Sequence, residues 1–376
     1  MIYLDNSATT RPYDEVIERV AECSKQAYFN PSAGYREGIA CHRQLEEERS
    51  RLAALLGCRP GELFFTASGT EADNIAVFGG AKHKNGRYIT TEGEHPAVFQ
   101  CFCELKNRGY DVQFVRLKAD SSVDLDHLES LLTPDTCLVS VMHVQNETGA
   151  VNPLAEISAL CRKISPSCLV HSDGVQAFCK VPVRLSELGV DLYTVSSHKV
   201  HGPKGVGGLF VREGVHLSPV VFGGGQEKGI RSGTENLPGI AGFALAAARS
   251  QAHMKEGRLK GIKEEMKEIL RRKGGDVRFA AEEGKTSDGI LSLSFGGLKA
   301  EVLQQMLSQR GVAVGKGSAC STHRKNSRVL GAMKLPERYA EGTLRISLGY
   351  LNTPEECRAA ADILADCAEE LRNFLK

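Results

Sequence analysis

From residue 14 to about residue 250, short runs rich in Val, Ile, Leu and Phe alternate with longer stretches in which apolar residues recur every three or four positions. The short runs have the length of buried strands, and the longer ones have the period of helices with one face on a core. Together they predict βαβ units around a mostly parallel sheet. Strands are expected at 63–65, 87–91, 112–117, 138–143, 169–172, 192–196 and 208–211. A helix is predicted over 37–56, where Leu45, Leu52, Leu55 and Leu56 share a stripe and Gly57 offers a left-handed stop.

Past residue 250 the pattern changes. Residues 251–273 are rich in charge, with Ile262, Met266, Ile269 and Leu270 on one stripe, which predicts one long helix leaving the first unit and ending at Gly274 and Gly275. Acidic and basic residues interleave along it, so the charges read as a solvated face and not as a nucleic-acid patch. A strand, helix, strand and helix follow at 290–295, 300–309, 343–348 and 354–375. The last helix opens on Thr353, Pro354, Glu355 and Glu356, a capping box with proline at the first helical position. The fold class is therefore α/β, with a large domain over 13–250 and a smaller α/β domain after it.

Composition narrows the function. A chain of 376 residues exceeds what one core usually organises. No apolar run approaches the roughly 18 residues of a membrane span. Lys plus Arg (47) balance Asp plus Glu (46), which gives no electrostatic reason to expect nucleic acid or an anionic membrane as partner. A small molecule is the expected partner. The opening MIYLDNSATTRP has no charged segment followed by an apolar one, so the expected location is cytoplasmic. Twelve scattered cysteines lack the spacing of a metal or redox site, and most are expected to be buried, reduced thiols.

Several positions carry candidate chemistry. Lys199 follows the strand at 192–196 in a turn rich in Ser, His and Gly, where open α/β sheets bind ligands. Asp173 ends the preceding strand, with Gln176 three residues on. It serves either as a cap for that turn or, paired with Lys199, as the carboxylate that keeps a pyridine nitrogen protonated in a pyridoxal phosphate site. Ser68, Gly69 and Thr70 stand between a strand and a helix, a simple N-cap or a phosphate cradle. His95 begins the next helix, where an imidazole can stack on a ring and move protons. Arg345 lies inside a short apolar strand and requires an anion, either a substrate carboxylate or an internal partner. Cys320 sits in GVAVGKGSACST among glycines and small residues, a setting that suits a reactive thiolate better than a structural thiol.

Taken in order, YLDNSATT, SGTEADN, EHPAV, HVQNETGAVNP, HSDGVQAF, SSHKVHGPKG, RSGTEN, GSACS and LRISLG resemble the cysteine desulfurases of the class V aminotransferase group, the NifS/IscS type. The resemblance runs from Tyr3 to about residue 355. It implies a fold-type-I pyridoxal phosphate enzyme that is a homodimer, with residues 1–12 joining 251–376 in the small domain. It implies that Lys199 bonds to the cofactor, that Asp173 meets the pyridine nitrogen and Gln176 the ring hydroxyl, and that His95 stacks on the ring. Gly69, Thr70, Ser196 and His198 would hold the phosphate, joined by Thr234 from the neighbouring subunit. Asn146 and Arg345 would bind the carboxylate of L-cysteine, and Cys320 would take its sulfur as a persulfide, releasing L-alanine. The sulfur would pass to an acceptor protein serving iron–sulfur clusters or thiolated tRNA and cofactors. No metal is implied. The roughly 25 residues between Cys320 and Arg345 match the longer-loop branch, and His323, Arg324 and Lys325 read either as solubilising charges or as a steering patch for an acidic acceptor. The alternatives are a selenocysteine lyase, a plain class V aminotransferase and an inactive dimeric scaffold. A nicotinamide enzyme is disfavoured because no GxGxxG follows the first strand.

Overall fold

Two sheets organise the chain in a computed structural model that describes residues 1–281, 285–316 and 327–375. In chain order the strands are β1 (Ile2–Leu4), β2 (Leu63–Thr66), β3 (Arg87–Thr91), β4 (Asp111–Val115), β5 (Thr136–Ser140), β6 (Leu169–Asp173), β7 (Leu192–Ser196) and β8 (Gly207–Val211). Then come β9 (Val277–Phe279), β10 (Ile290–Phe295), β11 (Val312–Lys316) and β12 (Thr343–Ser347). The larger sheet has the order β2-β8-β7-β6-β5-β3-β4, parallel throughout except at β8, which runs antiparallel to β2 and β7. The expected α/β class and its seven strands are found. The strand expected over 138–143 ends at Ser140, although Val141 and His143 still donate to the carbonyls of His171 and Asp173.

The helix Arg36–Leu56 buries Leu45, Leu52 and Leu56, and Gly57 closes it at φ +70°. One expectation is corrected. The chain around 251–273 is not one helix but the junction of two, Leu237–Glu256 and Arg258–Lys273. Gly257 at φ +69° breaks the helical path, a conformation that costs a non-glycine residue about 1–2 kcal/mol. The first helix packs Phe243, Ala244 and Ala247 into the core of the large sheet, while the second packs Ile262, Met266 and Leu270 against the small one.

The small sheet has the order β1-β11-β12-β10-β9, with β1 parallel to β11 and the other pairs antiparallel. Its core contains Leu4 together with Leu293, Phe295, Leu303, Leu344, Ile346 and Leu364. Strands β1 and β9, three residues each, escaped the sequence reading because so short a run has no period to recognise. The closing helix Pro354–Leu375 carries the expected capping box: Thr353 N donates to Glu356 Oε2 and Glu356 N to Thr353 Oγ1, both at 3.2 Å. Eight of the eleven described cysteines are buried, and none of the eleven is paired.

Candidate active site

Strand ends and helix starts converge on one cavity of about 310 Å³. Ten of the twelve expected site residues line it: Gly69, Thr70, His95, Asn146, Asp173, Gln176, Ser196, His198, Lys199 and Arg345. Thr234 does not; it is exposed elsewhere on the chain. Cys320, with His323, Arg324 and Lys325, lies outside the described residues.

The anion-binding wall comes from the turn between β2 and the helix Gly69–Gly80. Ser68 caps that helix by accepting from Glu71 N at 3.1 Å, and Ser68, Gly69 and Thr70 at the helix start line the cavity. Gly69 is required there, since a Cβ would lie 2.9 Å from Val175 Cγ2 and 3.3 Å from Ser196 Cβ. Ser196 Oγ, at the end of β7, is buried with no hydrogen-bond partner among the described residues.

Lys199 lies in the single turn Ser197–Lys199 after β7. Its Nζ donates to the carbonyls of Ser7 and Ala8 at 2.6 and 2.7 Å, so the N-terminal segment forms part of the wall. His198 is tied to the same segment, with Nδ1 3.1 Å from Thr9 Oγ1, and burial and then Lys199 push it down to about 4. Asp173 ends β6 and is 4% exposed; its Oδ1 accepts from Val175 N at 2.9 Å. Burial raises Asp173 to about 6, opposed by that N–H and by Lys199. His95 caps the helix Pro96–Asn107, its Nδ1 accepting from Ala97 N at 3.2 Å. Burial, then Lys199, Arg328 and Arg345, push it down to about 4, so the ring is neutral near pH 7 and its proton belongs on Nε2.

Arg345 arrives from β12 of the small sheet. Both readings of this residue meet in the structure: Nη2 donates to Asp5 Oδ1 at 2.7 Å and Nη1 to the Asn146 carbonyl at 3.0 Å, while the buried Nε has no partner among the described residues. The guanidinium is thus held in place and still lines the cavity.

Other lining residues were not expected: Ser7, Ala8, Asp73 and Glu147 among them. Asp73 stands four residues after Gly69 on the same helix face, and that spacing was a readable signal. Its Oδ1 is buried, unbonded among the described residues and 3.6 Å from His171 Nε2; burial, then Asp173, drive its carboxyl well above the usual range. Glu147 accepts from Ser327 Oγ at 2.5 Å. Arg328 next to it donates to the carbonyls of Glu92 and Glu94 and lies 3.5 Å over the Phe99 ring. No sequence signal pointed to these long-range contacts.

Comparison with known proteins gives a consistent result. A family model, Aminotransferase class-V, matches residues 2–359. The chain is 35% identical over 380 residues to a cysteine desulfurase of Trichormus azollae, covering 99% of this chain and 94% of that protein. It is 34% identical to the cysteine desulfurase IscS of Dictyoglomus turgidum, covering 99% and 96%. Among solved structures, a NifS-like protein superposes with a TM-score of 0.91 at 35% identity, covering 99% of both chains. A structure described as SspA in complex with cysteine superposes at 0.83 with 28% identity, covering 94% of this chain and all of that one.

Proposed function

This chain belongs to the class V aminotransferase family, and from that premise we infer that it is a cysteine desulfurase acting on L-cysteine with pyridoxal phosphate. The observation that carries the reading is the convergence of Lys199, Asp173, His95 and Arg345 on one cavity from both sheets.

The donor set suits the cofactor. The helix N-terminus at Gly69 and Thr70, the unbonded Ser196 hydroxyl and His198 form a concave anion site. When bound, pyridoxal phosphate supplies an electron-withdrawing ring that weakens bonds at the α and β carbons of an amino acid. Lys199 would hold it covalently, Asp173 would pair with the ring nitrogen, and His95 would cover the ring face as a neutral imidazole. A cationic nitrogen beside Asp173 favours its carboxylate and offsets the effect of burial. Thr234 would complete the phosphate site from a second copy of the chain. It is exposed on the same stretch as Phe222, which is 81% exposed.

Arg345 and Asn146 would bind the substrate carboxylate, the ion pair with Asp5 keeping the guanidinium oriented. The Cys320 thiolate would attack the substrate sulfur, the bond from that sulfur to Cβ would break, and Cβ would gain a proton. Enzyme thiol and cysteine thereby become enzyme persulfide and alanine, with no outside oxidant or reductant. Chain geometry supports access: Gly315 pairs with Arg345 across β11 and β12, and the five residues from there to Cys320 span at most about 18 Å. The persulfide would then serve a cytoplasmic acceptor protein of an iron–sulfur or thiolation system.

The test is to supply purified holoenzyme with cysteine and a thiol reductant. Equal yields of alanine and sulfide are expected, and borohydride reduction should place the cofactor on Lys199. Turnover of selenocysteine without turnover of cysteine would make the protein a selenocysteine lyase; keto acid without sulfide would make it an aminotransferase.

A further inference from the structure

Four residues after Gln176, the half-buried Lys180 donates from Nζ to Gln176 Oε1 at 2.7 Å. Gln176 Nε2 donates to the Ser7 carbonyl at 2.8 Å, and that same carbonyl accepts from Lys199 Nζ at 2.6 Å. A line of hydrogen bonds therefore joins one lysine to the other through Gln176 and Ser7.

This arrangement decides which way the amide faces. A glutamine amide turned either way fills the same space, yet one orientation offers a ligand an acceptor and the other a donor. An ammonium can only donate, so it must meet the amide oxygen; the Ser7 carbonyl can only accept, so it must meet the NH₂ group. Both neighbours fix the same orientation. Gln176 is 4% exposed and lines the cavity, and its NH₂ group keeps one N–H beyond the one committed to Ser7.

We propose that Lys180 is a positioning residue for the cofactor: it holds the Gln176 amide so that an N–H, and not the carbonyl oxygen, meets the ring oxygen of pyridoxal phosphate, which is thereby kept as an anion. The proposal rests on the cofactor reading above and extends it to a residue outside the cavity lining. The charged and titratable groups set against Lys180 are Lys199, Arg345, His198, His201 and Cys179, so its surroundings are mostly basic. Burial, then Lys199 and Arg345, bring Lys180 down to about 7. Its two protonation states divide the work. Both retain N–H groups for Gln176, while only the charged one adds a field that favours an anionic ring oxygen.

The experiment is a pH titration of the holoenzyme's near-ultraviolet and visible absorption, read as the midpoint at which the two cofactor bands interchange. Lys180→Met should raise that midpoint by about one pH unit, since the field is lost and the Ser7 carbonyl alone is left to hold the amide. Lys180→Arg keeps the donor and stays charged throughout, and should leave the midpoint at or below the wild-type value. If the Met protein does not yield folded holoenzyme, Lys180→Gln takes its place and should raise the midpoint through loss of the charge. A role in packing alone would lower thermal stability or cofactor content without moving the midpoint. An unmoved midpoint in the Met or Gln protein, or an equal shift in the Arg protein, would overturn the proposal. Failure of the wild-type protein to bond pyridoxal phosphate at Lys199 would instead sink the cofactor reading, and it is seen before any variant is made.

Discussion

Arg345 shows how one side chain is held by the fold and still faces the cavity. Its two Nη groups are committed to Asp5 and to the Asn146 carbonyl, so only a planar fork can satisfy both and leave Nε unbonded among the described residues. Arg345→Lys should raise KM for cysteine roughly 10- to 100-fold, a loss of about 1.4–3 kcal/mol in substrate binding, with the smaller effect on kcat. Steady-state kinetics against cysteine concentration check this. Glu94, next to His95, is a second residue with a measurable signature. It is 1% exposed; Oε1 accepts from Thr91 Oγ1 and Met142 N, while Oε2 has no partner among the described residues. Burial raises its carboxyl from 4.5 to about 8. The folded state thus holds a proton that the unfolded state releases. The resulting contribution to stability is fully present below pH 4.5, declines as pH rises and is gone above about pH 8. Glu94→Gln carries no titrating group and should flatten the fall in Tm between pH 6 and pH 8, where the slope due to this group is at most about 1.4 kcal/mol per pH unit. Parallel Tm profiles for the two proteins would remove Glu94 from the account.

At the scale of elements, the start of Gly69–Gly80 and the break at Gly257 each depend on a glycine for a different reason. Gly69 has close neighbours, not an unusual backbone: a methyl there would press on Val175 and Ser196. Gly69→Ala should therefore fold but bind pyridoxal phosphate at least about tenfold more weakly, the equivalent of about 1.4 kcal/mol, as measured by cofactor titration. Gly257 has open space around it and a left-handed backbone. Gly257→Ala should cost about 1–2 kcal/mol in denaturant unfolding and leave cofactor affinity unchanged, since no cavity residue lies in that turn.

Across the whole molecule, the site is assembled from distant parts. Arg345 comes from the small sheet, Ser7 and Ala8 from the segment that follows its first strand, and the remaining walls from the large sheet and its loops. The stretch bearing Thr234 is fastened where Arg49 grips Glu227 with two 2.8 Å bonds, which holds Glu227 and Lys228 at φ +49° and +54°. If Thr234 acts on the partner's phosphate, hybrid dimers will reveal it. A Lys199→Ala subunit paired with a Thr234→Ala subunit contains one complete site only when Thr234 is donated across the dimer. Such hybrids should recover about half the wild-type activity per dimer, above either parent homodimer. Activity no greater than half that of the Thr234→Ala homodimer would place the residue on its own subunit's site.

What the sequence by itself determined was whatever is written in neighbouring residues. The seven strands, the helix closed by Gly57, the capping box at Thr353 and the turn motifs around Gly69, Asp173 and Lys199 all follow from local period and backbone chemistry. The short strands β1 and β9 and the division at Gly257 were not legible, because three residues have no period and one glycine within a charge-rich helical stretch does not announce which core each side will join. Only the tertiary structure decided that Arg345 has Asp5 as its partner, that Ser7 binds both Gln176 and Lys199, and that Lys180 orients the amide between them. Those contacts join residues up to 340 positions apart. Hydrogen bonds act over about 3 Å of space and carry no trace in the spacing along the chain.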